Sequence, residues 1–448
     1  MKTTILKALS ALVAALMLTF VTPTIKAQET TPEISSWALE TLVEGEKYGI
    51  FPLEWYTQDF QNEISTERLN TLLKLTEAKI AGLELSKNVE FTPVAVEGDT
   101  TRNDIIHRLF NLIAQYDINA SSDPVKYLQE RNVLRGSQND LMLNQTATTE
   151  QAVIFAIRLI QDIYEQADAG AKGVAWIVED EDTKIYLLGS IHIGIPDLYP
   201  IHKKLKTAFD ESNALIVEAN LLDPNGSQYY VEKAFYKEGK TLQENISEES
   251  YAKLEKVSKQ LDIPIESLNT MKPWFISSYL SSLMREGAFG LTADEQSQYG
   301  IDMQFTLNAY LQQKPIYELE GIQAQVDMFD SLSREAQEEE LVSLLDGILG
   351  NTKQLDNELA LVADWFKYWK LGDIENFTKS IATLEGDDEY SKMLYGKRDE
   401  DMASIIMQLL ENEPGQFFVV VGAGHFLVDK NIRYHLEQNG YNVTPLYE

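Results

Sequence analysis

The sequence predicts an α/β domain, with a central, mostly parallel sheet flanked by helices, preceded by a separate N-terminal all-helical domain. Three observations lead there. Beyond residue 173, short apolar runs ending in glycine or a polar residue alternate with long stretches of helical periodicity, the pattern of strands feeding crossover helices. Residues 35–163 instead carry helical periodicity in short pieces, separated by acidic or turn-rich loops. Between the two lies a small-residue stretch, Ala167 to Gly173, and 448 residues at 44% hydrophobic content suffice for more than one core.

In chain order, Lys2 and Lys7 precede a fourteen-residue apolar run, Ala8 to Val21, which ends near the small-residue site Ile25-Lys26-Ala27. That is the layout of a secretory signal peptide, too short for a comfortable membrane span. The expected organisation is therefore 1–27 signal, 28–168 helical repeats and 169–448 the α/β domain, in a protein secreted to the extracellular space or the cell envelope. The chain has no cysteine, which excludes disulfides, a thiol nucleophile and a thiolate metal site. With 70 acidic against 38 basic residues its net charge is −32, a surface that repels nucleic acid and anionic lipid.

Within the helical part, residues 35–75 and 123–160 resemble one another. Each reads as an amphipathic helix, a glycine-bearing turn, a loop, then a Ser/Thr-rich start to a second helix. In the second copy Thr148 and Gln151 have capping-box spacing. The pair resembles degenerate S-layer homology modules: "ISTER" (Ile64 to Arg68) and "ATTEQ" (Ala147 to Gln151) stand where those modules carry a helix-start signature. That resemblance implies cell-wall polysaccharide as a partner, in a Gram-positive type of envelope.

The α/β part offers "GVAWIV" and "KIYLLG" as a hairpin, then "ALIVEA", "PIYELE", "FFVVVG" and "YNVTPLY" as further strands. Residues 331–371 read as a helical, glutamate-rich insertion or lid with a solvated charged face. Four strand candidates end in residues of catalytic type. Gly189-Ser-Ile-His192 follows the second, Glu218 the third, Glu318 and Glu320 the fourth, and Gly422-Ala-Gly-His425 the fifth. The carboxyl ends of parallel strands line one crevice, so groups placed there converge however distant they are in sequence. Each glycine is expected to turn the chain sharply as it leaves the sheet. Two imidazoles and two carboxylates so gathered would form a divalent-metal site or an acid/base constellation. The other three histidines, His107, His202 and His435, lie in helical stretches and read as structural. No HExxH, Walker loop or GxSxG elbow is present, and Ser190 lacks a nucleophile elbow around it.

From about Gly173 onward the chain resembles the TraB/GumN family, related to the TIKI metalloproteases and distantly to erythromycin esterases. "YLLGSIHIG" and "FFVVVGAGHFL" match the family's paired GxxH signatures and "ALIVEAN" its early glutamate. "MKPWF", "YGIDMQF", "ELEGIQAQ", "WFKYWKLGD" and "YGKRDEDMA" match in order between them, the last placing Arg398 in the family's arginine position with Asp399 where asparagine is common. The resemblance implies a metal-dependent hydrolase, using a divalent ion such as manganese or cobalt and acting on peptide or small-molecule substrates. Its ligands would be His192, His425 and Glu218 or Glu320, the remaining glutamate taking a proton from water and Arg398 stabilising an oxyanion. Asp302 and Gln323 would orient the ligands. A metal-free esterase with a histidine base and a non-catalytic wall-associated binding protein are the alternatives.

Overall fold

The computed structural model describes residues 33–447 except 97, 99, 119, 137–139, 238, 351 and 385. The expected signal peptide lies outside the described residues. The chain divides into two compact units, one comprising Pro23–Ala171 with Pro196–Lys203, the other built on Lys172–Ile195 and Lys204–Glu448. No helix among the described residues is long and apolar enough to cross a membrane.

The first unit is helical: α1 Leu39–Gly45, α2 Thr66–Ala81, α3 Arg102–Ala114, α4 Pro124–Glu130 and α5 Thr149–Gln166. The three longest start alike. Ser65 accepts the Arg68 N–H, Thr101 that of Asp104 and Thr148 that of Gln151, each closing a first turn whose amides would otherwise lack partners. Just ahead of the helices, Glu63 pairs with Thr148 and Thr101 with Thr146 in short antiparallel bridges. Leu69, Leu72, Ile105, Leu109, Ile154 and Ile157 fill the core between the helices. The sequence marked two such starts. The third escaped because the chain before it, 82–100, forms no helix among its described residues, so the helix-turn-helix pattern is broken. The excursion 196–203 also belongs to this unit, where buried His202 meets Asp168 at 3.3 Å.

The second unit contains β1 Val174–Glu179, β2 Thr183–Ser190, α6 Lys203–Glu211, β3 Ala214–Val217, α7 Pro224–Ala234, α8 Glu248–Gln260, α9 Ile265–Leu268, α10 Pro273–Met284, α11 Ala293–Gln298, α12 Ile301–Leu311 and β4 Ile316–Glu318. It continues with α13 Ile322–Ser331, α14 Arg334–Gly350, α15 Thr352–Leu371, α16 Ile374–Ile381, α17 Glu389–Leu394, α18 Lys397–Asn412, β5 Gly415–Gly422, α19 Gly424–Leu427, α20 Ile432–Gln438 and β6 Val443–Pro445. All six strand candidates join one sheet in the order β4-β3-β5-β2-β1-β6. β4, β3, β5 and β2 run parallel, while β1 is antiparallel to both β2 and β6. Register matters more than order here. Ser190 lies opposite Gly422, and Val217 lies opposite both Val420 and Glu318, so four parallel strands end at nearly one level.

Helices cover both faces, as an apolar parallel sheet requires. On one face Phe418 of β5 meets Phe209 of α6 and Phe305 of α12, with ring centroids 5.5 and 5.0 Å away. On the other, which Trp176 shares with Val419 through their common partner Leu187, Trp176 packs on Phe426. The 331–371 segment departs from the expected lid. Val362, Trp365, Phe366 and Trp369 of α15 are buried, and the Trp369 indole N–H donates to the Gly189 carbonyl at 2.6 Å. Trp369 anchors it to the end of β2, so its C-terminal half is wall.

Candidate functional site

Strand ends supply the first groups. His192 follows β2, Glu218 follows β3, Glu320 follows β4, and His425 enters on α19 just past β5. The structure brings these four together with Arg398, from the first turn of α18. The His425 Nε2 lies 3.9 Å from Glu218 Oε1, and the Arg398 guanidinium bridges Glu320 and Glu218. The glycines at the strand ends act differently from expectation. Neither Gly189 nor Gly422 has positive φ, so neither is needed for a turn. What they supply is space: a Cβ on Gly189 would come within 3.0 Å of the Ala423 backbone, and one on Gly422 would sit 3.2 Å from both Glu218 Oε1 and His192 Nε2. Gly422 thus leaves a cradle beneath two of the site's polar atoms.

Each imidazole is held from behind by an aspartate. Asp302, in the first turn of α12, contacts His192 Nδ1 at 3.1 Å. That turn is docked on the chain following β2 by the Ile301 N–H, which donates to the Ile191 carbonyl at 2.9 Å. Asp399, in the first turn of α18, contacts His425 Nδ1 at 2.8 Å with one oxygen and accepts the Gly396 N–H at 2.8 Å with the other. Both Nδ1 atoms are thereby occupied, which fixes the rings and commits their Nε2 atoms to the site interior. The His425 Nε2 is buried and has no hydrogen-bond partner. Burial alone would lower the His192 pKa, but the charge and hydrogen bond of Asp302, aided by Glu218, outweigh it and push the pKa up to about 9.

The carboxylates differ in their engagement. Glu218 is buried, accepts the Gly422 N–H with Oε1, and takes the Gln325 amide at 3.1 Å and Arg398 at 3.4 Å with Oε2. Glu320 pairs with Arg398 through two bonds of 2.7 Å and also accepts from Gln325. Burial works against its ionisation, but Arg398 prevails and holds its carboxyl below the usual range. Arg398 in turn donates to the Leu394 carbonyl at 2.8 Å. A small cavity of about 300 Å³, counted to its open mouth, has a polar side formed by Ser190, His192, Glu218, Asp302 and Gln325, and Val217, Ala219, Leu221, Val420 and Val421 complete its lining.

Gln323, expected to orient the ligands, is exposed, and Gln325 does the work instead. Helix geometry explains the difference: α13 buries Ile322, Gln325, Val326 and Phe329, a stripe that leaves position 323 outside. Asp399 was the other omission, since nothing in sequence spacing pairs it with a histidine 26 residues later. Of the remaining histidines, His107 bonds its own helix at the Asn103 carbonyl and His435 stands edge-on to Tyr434.

Two imidazole Nε2 atoms and a carboxylate oxygen lie about the Gly422 cradle, donor types that a divalent cation takes when it is a guest. The orphaned Nε2 of His425 is the observation that favours such a guest. Among the described residues no three His, Asp or Glu side chains converge as a ready-made cage.

The chain is 28% identical to uncharacterized protein YbaP of Escherichia coli (strain K12) over 251 residues, which cover 55% of this chain and 85% of that protein. The match to YbaP of Shigella flexneri has the same extent. It is 22% identical to metalloprotease TIKI1 of Xenopus tropicalis over 315 residues, 60% of this chain and 61% of that protein. No solved structure matches it significantly. The model of the TraB/PrgY/gumN family matches residues 174–445, from the first residue of β1 to the last of β6, and the chain belongs to that family.

Proposed function

We propose that the α/β unit is a divalent-metal-dependent hydrolase of peptide, amide or ester bonds, acting outside the cytoplasmic membrane. The observation that carries the proposal is the paired arrangement Asp302–His192 and Asp399–His425, whose Nε2 atoms border the cradle beside Glu218. The name of the TIKI1 relative, a metalloprotease, supports the same reading. His192, His425 and Glu218 would hold the ion. A divalent ion there would supply Lewis acidity and bring the pKa of water toward neutrality. Arg398, whose guanidinium contacts Glu218 and Glu320, would meet negative charge developing on a carbonyl oxygen. Glu320, ionised and tied through both oxygens, keeps that guanidinium aligned and is a poor proton acceptor. The "ISTER" and "ATTEQ" helix starts support a role for the helical unit in holding cell-wall polysaccharide.

The test is to fill the cradle. In Gly422→Ala the new methyl would stand 3.2 Å from both Glu218 Oε1 and His192 Nε2, a tight contact that the fold can absorb but a third participant cannot share. Manganese binding measured by equilibrium dialysis should fall at least about tenfold, hydrolysis should fall with it, and the circular dichroism spectrum should be unchanged. A parent protein that hydrolyses peptides while binding no divalent ion would overturn the metal reading.

One observation favours a metal-free second reading: Ser190 Oγ is buried without a partner and lines the small cavity with His192. If it were a nucleophile, Ser190→Ala would cost several orders of magnitude in turnover. The metal reading gives the hydroxyl no part in the bond changes and expects a change of no more than about threefold, less than about 1 kcal/mol of barrier, and steady-state kinetics on the two proteins decides.

A further inference from the structure

A second cavity adjoins His192, and more of its wall is apolar. It encloses about 420 Å³ counted to its open mouth. Its walls are Trp365, Phe377 and Ile381 from α15 and α16 together with Tyr395, and it reaches His192 and His425 at its inner end. No lining residue is acidic or a lysine or arginine, in a chain where 24% of residues are charged.

The walls are preformed. The Trp365 indole N–H donates to Ser380 Oγ at 2.9 Å, and its ring lies 6.2 Å from that of Phe377. One turn further, Trp369 ties the same helix to the end of β2. Tyr395 stands edge-on to His425 at 5.4 Å, and it can lie so close because Gly424 has no side chain: a Cβ there would come within 2.5 Å of the tyrosine hydroxyl. Ser190 and His192 border both cavities. An occupant of the second therefore sits beside the reacting groups of the first.

We propose that this cavity is a specificity pocket, taking a large apolar side chain of a peptide substrate next to the bond that is cleaved. The proposal rests on the hydrolase reading for its functional meaning. The physical argument is desolvation. A charged or amide side chain lying against Trp365, Phe377 and Ile381, away from the histidines and Ser190 at the inner end, would leave water without gaining a partner there, whereas a phenylalanine or leucine side chain gains contact along its length. In such pockets a methylene is worth roughly 10–200-fold in discrimination.

The experiment uses the full chain with manganese and internally quenched peptides that differ at one residue. For phenylalanine or leucine, kcat/KM should exceed that for serine or aspartate by at least about 100-fold. Ile381→Phe, which narrows the pocket, should move the preference from phenylalanine to alanine, and Phe377→Ala should broaden it toward larger groups. A flat profile, or one favouring charged residues, would overturn the pocket. Binding of N-acetyl-phenylalaninamide against N-acetyl-aspartamide, followed by ligand-observed NMR, separates the two ideas. Selective binding of the phenyl compound with no peptide cleaved would sink the hydrolase and keep the pocket, while cleavage without selectivity in either assay would do the reverse. Failure of the phenyl compound to bind, or its equal binding to Ile381→Phe, also counts against the pocket.

Discussion

His425→Ala should abolish high-affinity divalent-ion binding and reduce hydrolysis by roughly three orders of magnitude, because the several kcal/mol that Lewis-acid assistance supplies, about 4 kcal/mol here, correspond to about a thousandfold. The fold should survive. The ring is fully buried, but alanine leaves only a small polar hole, with Asp399 still bound to the Gly396 N–H. The more searching variant is Asp399→Asn. Asp399 accepts two hydrogen bonds at once, from His425 Nδ1 and from the Gly396 N–H. An amide offers only one acceptor atom, so either the histidine or the start of α18 faces an N–H against an N–H. Loss of the carboxylate behind a metal-binding imidazole costs about 10–100-fold in metal affinity. The α18 start should also weaken, by roughly 1 kcal/mol on the scale of a lost cap. Manganese titration by calorimetry, paired with urea denaturation, reads both. Full activity in the two variants would show that His425 is a packed core residue and no more.

Much of this was legible in the sequence because strand ends are a local signal. An apolar run followed by a polar residue marks where a chain leaves a sheet, and parallel pairing then carries Ser190 opposite Gly422 and Val217 opposite Val420 without further information. Side-chain partnerships between separate elements were not legible. The contact of Asp399 with His425 joins the first turns of two different helices, and Gln325 in place of Gln323 is a matter of where α13 begins, two residues' difference on a period of 3.6. The glycines were found for the wrong reason. A glycine that yields room to a facing group looks the same in sequence as one that makes a turn, and only the positions of Ala423, Glu218 and His192 distinguish them. The tryptophans of α15 were hidden by their setting, a glutamate-rich segment whose charges suggested a solvated face while Trp365 and Trp369 were turned inward.

Arg285→Met should raise the stability of the protein by about 3 kcal/mol, an unusual direction for a substitution of a buried residue. Arg285 directly follows the last residue of α10, is 1% exposed, and none of its three guanidinium nitrogens has a hydrogen-bond partner. Ser277 and Ser281, on the same helix face two turns and one turn earlier, have buried hydroxyls that are unpartnered as well. Burial is the cause that pushes the Arg285 pKa down, to about 10. A cation whose folded pKa lies below its unfolded value destabilises the fold wherever the unfolded chain binds the extra proton. That penalty, roughly 3 kcal/mol for such a fall, is fully present below pH 10 and is relieved as pH rises beyond it. Methionine keeps most of the apolar stem and removes the charge, the kind of exchange that is commonly neutral or stabilising by about 1–4 kcal/mol. The gain should appear at pH 7 as a rise in melting temperature on the order of 5 °C and should shrink above pH 10, where the parent has shed its burden. A variant less stable than the parent by 2 kcal/mol or more, measured by urea denaturation at pH 7, would mean that the guanidinium is well paired and that its isolation is not a property of the folded protein.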